Sequence, residues 1–403
     1  MKPRITLLLL CVSLAATVVA FGQNAESGQT PARLKAYTTV RTNPGTAATH
    51  DATGPTLPLW RYHVHSSRDG HDYTGVMVGV DPFSENNQTV SVPTQIIPVV
   101  IQTNLVGLAI NSNGIIGTIP GKTVLDPTAA NSACLTAPND VPLTLFQQSP
   151  ILNNASFTFG DTYVGDTQYP DAFQRANFWN HTHARDNHML LSPVTTSTLY
   201  IDVPEAYGLA LATTSLGSPA FCAPLGIIDI NWFDSYLNTV VIPSLASQGV
   251  NQGSLPIFLL ANVVMASPVA DINTCCILGY HGDTAGQTYS PMDFDTTGVF
   301  GSTIFDTSVP AHEVDEWMDD PFGNNPTPPW GHVGQVSGCQ TNLEVGDALT
   351  GTDIPTVTML NGYGYHLQEL TFFSWFYGGL PLGVNGWYSD NDTFTTNAGP
   401  PCK

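Results

Sequence analysis

The chain has 403 residues, of which only 11% are charged, and its 32 acidic residues far outnumber its 11 lysines and arginines. Partners such as nucleic acid or an anionic membrane require clustered basic residues, which a chain of net charge −21 with so few of them does not offer. An acidic surface keeps an exported protein in solution and attracts cations, so the composition is compatible with metal binding. The length permits one large domain or two ordinary ones.

Residues 1–22 are predicted to form a signal peptide. Lys2 and Arg4 precede an apolar run over residues 5–20, whose last three residues, VVA, give the small-residue pattern that signal peptidases recognise. An uncleaved anchor is the alternative, but this run of 16 residues is shorter than the roughly 20 that a bilayer span needs. We expect a secreted protein, or a periplasmic one in a bacterium, whose mature charge is 9 − 32 = −23.

The cysteines indicate a disulfide-bonded extracellular protein. Cys11 leaves with the signal peptide, and an even number in an exported chain favours up to three bridges. Cys275 and Cys276 are adjacent, lack the spacing of a redox or zinc-ribbon motif, and are expected to join different partners. The six remaining cysteines are Cys134, Cys222, Cys275, Cys276, Cys339 and Cys402.

The segment 23–56 is rich in Thr, Ala, Gly, Pro and Asn, and is interpreted as a disordered linker or propeptide-like segment. A single large α+β domain is predicted for residues 57–403, with a β-rich part over 57–205. Its predicted strands contain many β-branched and aromatic residues bounded by Gly, Pro, Asn and Asp. They lie at 57–66, 73–81, 92–103 and 196–204.

Beyond residue 229 the apolar pattern changes to a helical repeat. Residues 231–248 space their large apolar side chains three and four apart, which predicts a helix that Pro243 kinks. Two short apolar runs follow, 255–265 and 275–282, each of a length typical of a buried strand.

A second helix is predicted within the stretch PAHEVDEWMDDP, residues 310–321. Ser308 is a suitable N-cap, and Pro321 ends the helix at about Asp319. At about 100° per residue, His312 and Glu316 lie within roughly 40° of each other on the helix surface. We therefore expect one face to pack while the other presents these side chains together.

This spacing is that of a metal site. In HExxH metallopeptidases two ligands one turn apart bind zinc, and the glutamate beside the first acts on the zinc-bound water. Here His312 and Glu316 are the candidate ligands and Glu313 the candidate catalytic base, because a carboxylate oxygen is also an acceptable zinc ligand. The added negative ligand weakens the metal as a Lewis acid, so catalysis is expected to be slow or absent.

A third ligand is expected from NLEVGD, residues 342–347, where Glu344 and Asp347 lie three apart. Asp320 is the less favoured candidate, expected to cap a turn or to orient a ligand, and His281 is the reserve ligand. The alternative for the whole motif is a solvated acidic turn without metal. Serine-hydrolase, Walker and dinucleotide-binding patterns are absent from the sequence.

The order of motifs from CCILGYHGD through PAHEVDEWMDDP to GCQTNLEVGD resembles the exordium, or phosphate-induced protein, family and related microbial secreted proteins. The resemblance covers about 80 residues, which carry the Gly-x-His-Gly strand, the HExxE helix and the Glu-x-x-Asp pair. In the plant pattern a cysteine follows that pair, whereas here Cys339 precedes it. The matching residues are Gly279, His281, Gly282, His312, Glu313, Glu316, Asp320, Pro321, Trp330, Glu344 and Asp347.

This resemblance implies a zincin-like metallopeptidase core over residues 225–380, with a mixed sheet, a backing helix and an active-site helix. The leading hypothesis is a secreted zinc peptidase in which Glu313 takes a proton from zinc-bound water and a peptide or protein is the substrate. The alternative is a non-enzymatic extracellular protein with a structural zinc or calcium site that includes Asp320, Glu344 and Asp347.

Overall fold

A computed structural model describes residues 37–41, 54–106, 110–111, 114–115, 121–130, 135, 140–211, 222–269, 275–333, 339–400 and 402. The predicted signal peptide, most of the segment 23–56, and Cys134 lie outside these residues. All of the described residues belong to one structural unit, which spans residues 33–403.

The strands are numbered in chain order. They are β1 (Tyr37–Arg41), β2 (Leu59–His65), β3 (Asp72–Val78), β4 (Thr89–Val106), β5 (Ile110–Asn111), β6 (Gly114–Ile115), β7 (Lys122–Leu125), β8 (Ala155–Phe159), β9 (Thr162–Thr167), β10 (His188–Thr195), β11 (Leu199–Asp202), β12 (Gly208–Leu211), β13 (Leu225–Asp229), β14 (Leu255–Ala261), β15 (Val263–Ala266), β16 (Ile277–Thr284), β17 (Gln287–Phe294), β18 (Pro326–Trp330), β19 (Gln340–Asn342), β20 (Val357–Thr358) and β21 (Gly364–Tyr365).

The helices are mostly short. The α-helices are α1 (Pro142–Gln147), α2 (Tyr169–Asn177), α3 (Trp179–Thr182), α4 (Ile230–Tyr236), α5 (Ile242–Ser244), α6 (Ser308–Asp319) and α7 (Phe373–Phe376). A π-helix spans Leu237–Val241, and 3-10 helices span Ala246–Gln248, Asp347–Leu349 and Val384–Gly386.

Seven strands form a closed, barrel-like sheet. Their order is β16, β15, β13, β12, β4, β14 and β17, and β17 pairs back with β16. Strands β1, β7, β10 and β11 pair onto this ring, β1 with β16 and the other three with β4. The predicted α+β class is confirmed at this level, whereas closure of the sheet was not predicted.

The closed sheet has apolar contacts on both faces, as strand β14 shows. Every residue of β14 is buried. Because side chains alternate along a strand, Ile257 and Leu259 join the cluster that contains Trp317 of α6, whereas Phe258 packs in the cluster that contains Phe233 of α4. Continuous apolar runs such as LPIFLLA therefore mark strands that are covered on both sides.

The predicted helix over 231–248 is present but is not a regular α-helix. Asp229 caps α4, because its carboxylate accepts a hydrogen bond of 2.9 Å from the backbone N–H of Trp232. The π-helix follows α4 and precedes Pro243, so the irregularity begins before the proline that was predicted to cause the kink.

Strand β1 lies inside the stretch 23–56 that the composition predicted to be disordered. Its residues pair in parallel with β16, placing Val40 opposite His281 and Arg41 opposite Gly282. Composition misses such a strand because its backbone hydrogen bonds come from a neighbour that is far away in sequence.

The disulfides differ from the prediction at one point. Cys275 and Cys276 are bonded to each other, whereas they were expected to join different partners. Adjacent side chains of an extended strand point to opposite faces, which would keep the two sulfurs apart. This pair, however, precedes β16, which begins at Ile277. Cys339 bonds to Cys402, and Cys222 is also disulfide-bonded. These bonds are compatible with an oxidising, extracellular location.

Among the described residues, no helix combines the length and the apolar character that crossing a membrane requires.

Candidate metal centre

Helix α6 carries the HExxE motif through the core of the protein. It runs from Ser308 to Asp319, so the predicted end before Pro321 is confirmed, while the N-cap position belongs to Thr307 and not to Ser308. All twelve residues of the helix are buried. One face was predicted to pack and the other to be available for chemistry, but both faces are buried. A solvated acidic turn is therefore excluded.

His312, Glu316 and Asp347 form one cluster of ligand atoms, here called the His312 group. The Nε2 atom of His312 lies 3.0 Å from Oε1 of Glu316 and 3.6 Å from Oδ1 of Asp347. All three side chains are almost fully buried. Their ligand atoms lie within 4.8 Å of one another, so the group can hold a metal ion.

Hydrogen bonds attach the loop of the Glu-x-x-Asp pair to helix α6. Oε1 of Glu316 accepts the backbone N–H of Gly346 at 3.2 Å and that of Asp347 at 3.0 Å. Behind His312, Oε1 of Gln368 lies 3.0 Å from Nδ1, and the Gln368 amide donates to the carbonyl oxygen of Gly346 at 2.6 Å.

Gln368 fixes the orientation of the His312 ring by accepting a hydrogen bond from the ring nitrogen that does not face the candidate metal site, as is usual for metal-binding histidines. Because the ring nitrogen Nδ1 donates to Gln368, the Nε2 atom faces Glu316 and Asp347. Gln368 was not among the residues predicted from the sequence, and it lies 56 residues beyond His312. Its only sequence indication is the stretch YHLQ, residues 365–368.

A second cluster, here called the His281 group, lies beside the first. Nδ1 of His281 is 3.6 Å from Oε2 of Glu313, 3.9 Å from Oε2 of Glu316 and 4.0 Å from Oε2 of Glu344. All four side chains are fully buried. Glu316 thus belongs to both groups, through Oε1 in the His312 group and through Oε2 here.

The structure separates the predicted third ligands. Asp347 lies with His312, whereas Glu344 lies with the reserve ligand His281. Asp320 caps a turn, as expected, because its carboxylate accepts the backbone N–H groups of Asn324 and Asn325 at 2.8–3.0 Å. The candidate base Glu313 faces His281.

Burial and mutual repulsion shift the pKa values of these groups. Burial, and then the charges of Glu316 and Asp347, raises the pKa of Glu313 well above its ordinary value. Burial, and then the charge of Glu316, does the same to the pKa of Glu344. Burial opposes the charge of His312, but the attraction of Glu316 and Asp347 outweighs it and raises the His312 pKa to about 9.

The pKa of Glu316 shifts in the opposite direction to those of Glu313 and Glu344. Burial alone would raise its pKa, but attraction to His312, together with their hydrogen bond, leaves the pKa of Glu316 below its ordinary value. Burial lowers the pKa of His281, which favours its neutral form. The metal-free cluster therefore keeps protons on Glu313 and Glu344, and a bound cation would replace them.

Several buried polar atoms at this centre lack a partner. With the acids ionised, neither oxygen of Glu313 has a hydrogen-bond partner among the described residues, and the same holds for Oε2 of Glu316 and of Glu344 and for Nδ1 of His281. Glu316 and Glu344 bond to each other only if one of them carries a proton. Buried polar atoms without partners are costly, and all of these atoms belong to the His281 group, so they fit a bound cation there.

Two glycines allow the backbone to approach the centre closely. A Cβ atom on Gly346 would lie 2.5 Å from Nδ1 of His312, and one on Gly279 would lie 2.7 Å from Oε1 of Glu313. Any larger residue at either position would displace a candidate ligand.

We expect Gly346→Ala to weaken metal binding and to lower the stability by about 1–3 kcal/mol, because the added methyl group forces the His312 ring out of position. Metal titration and thermal unfolding of the variant measure both effects. Gly54→Ala is the matched control, since a Cβ there meets nothing within 4 Å. Unchanged metal affinity in Gly346→Ala would show that the His312 ring does not hold the metal.

Searches of protein-family models, of curated proteins and of solved structures found no match to this chain.

Proposed function

We propose that the protein is a secreted metalloprotein in which a buried divalent cation joins helix α6 to the loop 339–350 and stabilises the fold. One observation carries the proposal: two imidazoles and four carboxylates meet with at most 1% exposure. A cation compensates this concentration of buried charge, because uncompensated buried carboxylates are too costly to be retained.

The donors indicate the kind of cation. His312 with Glu316 and Asp347 supplies one nitrogen and two oxygens, a set that zinc accepts. Calcium takes oxygen ligands, so the histidines of both groups favour zinc over calcium. The hydrogen bond that Nδ1 of His312 donates to Oε1 of Gln368 is the outer-shell contact that a zinc-bound histidine typically has.

Complete burial favours a structural role over a catalytic one. A catalytic zinc needs an open position that substrate can reach, whereas a structural site is closed by its protein ligands. Here the side chains of His281, His312 and Glu313 are all 0% exposed.

Peptide-bond hydrolysis is the second candidate function. It is favoured by the HExxE spacing of His312, Glu313 and Glu316 on helix α6, and by the resemblance to the exordium family. The chain also has a helix, α4, that packs against one face of the sheet, and a second helix, α6, that carries the motif, as the resemblance implies. When zinc is bound, it supplies Lewis-acid polarisation of a carbonyl oxygen. Glu313 would hold and move the proton, provided that the loop 339–350 opens to admit a substrate.

A single set of measurements separates the two functions. The mature protein is purified without chelator, its metal content is determined, and casein cleavage and thermal unfolding are recorded with and without o-phenanthroline. Bound zinc with a chelator-sensitive unfolding temperature and no cleavage supports the structural role. Chelator-sensitive cleavage supports the peptidase, and absence of metal contradicts both.

If the protein is a peptidase, we expect Glu313→Gln to lower the cleavage rate by about 100-fold or more, because it removes the general base. The residual rate of casein cleavage measures the effect. Glu205→Gln, at an exposed acid, is the control and should cleave at the wild-type rate. Full activity in Glu313→Gln would remove Glu313 from the mechanism.

A further inference from the structure

We propose that the centre binds two divalent cations bridged by the carboxylate of Glu316, one in the His312 group and one in the His281 group. This inference rests on the proposed metal binding and adds the number of ions, the second set of ligands and the bridging role of Glu316.

His281 provides the first argument. Its Nε2 atom lies 2.9 Å from the carbonyl oxygen of Asp320, which can only accept, so Nε2 carries the proton of the neutral ring. Nδ1 then presents a lone pair to the oxygens of Glu313, Glu316 and Glu344. A lone pair that faces the oxygens of three acids is repelled by them unless a proton or a cation lies between.

The distances from Nδ1 of His281 to the carboxylate oxygens also favour a cation. A proton on Nδ1 would form a hydrogen bond of about 2.7–3.2 Å, whereas the nearest carboxylate oxygens are 3.6–4.0 Å away. Two ligand atoms that are each about 2.0–2.4 Å from one cation are separated by distances of this size. The His281 group therefore has the dimensions of a coordination shell and not those of a hydrogen-bonded ion pair.

Glu316 stands between the two groups with one oxygen in each. Oε1 is 3.0 Å from His312, and Oε2 is 3.9 Å from His281. A single cation in the His312 group would leave both oxygens of Glu313 and Oε2 of Glu344 without partners. A second cation beside Oε2 of Glu316 gives these atoms a partner.

The charges around the His281 group indicate that a metal ion, and not a basic side chain, neutralises its carboxylates. No lysine or arginine of the described residues forms a salt bridge with Glu313, Glu316 or Glu344, whose ion-pair partners there are His281 and His312. The ligand atoms of His281, Glu313 and Glu316 lie within 4.8 Å of one another, and Glu344 stands 4.0 Å from His281, which is an oxygen-rich set that suits Mn²⁺ or Zn²⁺. Bridged pairs of such ions lie about 3.5–4 Å apart in proteins.

The test is to count and detect the ions with Mn²⁺ as the probe. Protein stripped with chelator is refilled with Mn²⁺, the bound metal is counted, and its electron paramagnetic resonance spectrum is recorded. We expect two Mn²⁺ per chain with the spectrum of an exchange-coupled pair. One Mn²⁺, or two that are uncoupled, overturns the inference, whereas one bound ion leaves the proposed function intact. No bound Mn²⁺ and no bound Zn²⁺ contradicts the proposed function itself.

Variants then test which residues bind the second cation. His281→Gln should reduce the bound Mn²⁺ from two ions to one or fewer and abolish the coupled spectrum, and His312→Gln should do the same from the other side. His63→Gln, at an exposed histidine of β2, is the matched control and should retain both ions. Two coupled ions in His281→Gln would place the second cation elsewhere and overturn the inference. If a variant does not fold, the wild-type count and spectrum decide alone.

Discussion

Glu316→Gln is expected to release bound zinc, with an affinity at least about 100-fold weaker, and to lower the stability by about 3–5 kcal/mol. Glu316 faces both histidines, and loss of its charge leaves these buried partners uncompensated. Outer-shell partners alone are worth about 10- to 100-fold in metal affinity, so a direct ligand should matter at least as much. Zinc titration and chemical denaturation measure the two effects.

Glu369→Gln is the matched control, because Glu369 is equally buried but lies outside both groups. Its carboxylate accepts hydrogen bonds from Ser389 and Thr393 at 2.6–2.9 Å. This variant should lose stability while it keeps its zinc. Wild-type zinc affinity in Glu316→Gln would contradict the assignment of the metal centre.

Removal of the metal from the wild-type protein is expected to have the second large effect. A ligand that binds only the folded state and is present at about 1,000 times its dissociation constant stabilises that state by about 4 kcal/mol. Because the proposed cation would join α6 to the segment 339–350, stripping it with a chelator should lower the free energy of unfolding by about this amount. Denaturant unfolding before and after chelation measures the loss, and added zinc should restore the stability.

Glu316→Gln also serves as the control for this experiment, since a chelator should no longer change its stability. Equal stability of the stripped and the zinc-loaded wild-type protein would contradict a structural role for the cation. If the wild-type protein also cleaved casein only with zinc bound, the peptidase would become the better interpretation.

The local parts of the centre were predictable from the sequence. Helical spacing brings His312 and Glu316 together one turn apart, and Pro321 ends the helix at Asp319. The Glu-x-x-Asp pair could be identified as a source of further ligands, although its two acids belong to different groups. Strand β1 was not predicted, and the expectation that Cys275 and Cys276 join different partners was wrong, because composition and spacing do not show which distant strands pair or which sulfurs meet.

By itself, the sequence determined the acidic, cysteine-containing character of the chain, the mixed α+β class and the pairing of ligands along one helix. These follow from composition and from a repeat of about 3.6 residues per turn, which acts between near neighbours. Only the tertiary structure decided that the sheet closes, that the motif is fully buried, and that His281 and Gln368 face it. Such contacts join residues that are distant in sequence, as His281 and Asp320 are at 39 positions and His312 and Gln368 at 56, and strand pairing and packing decide them.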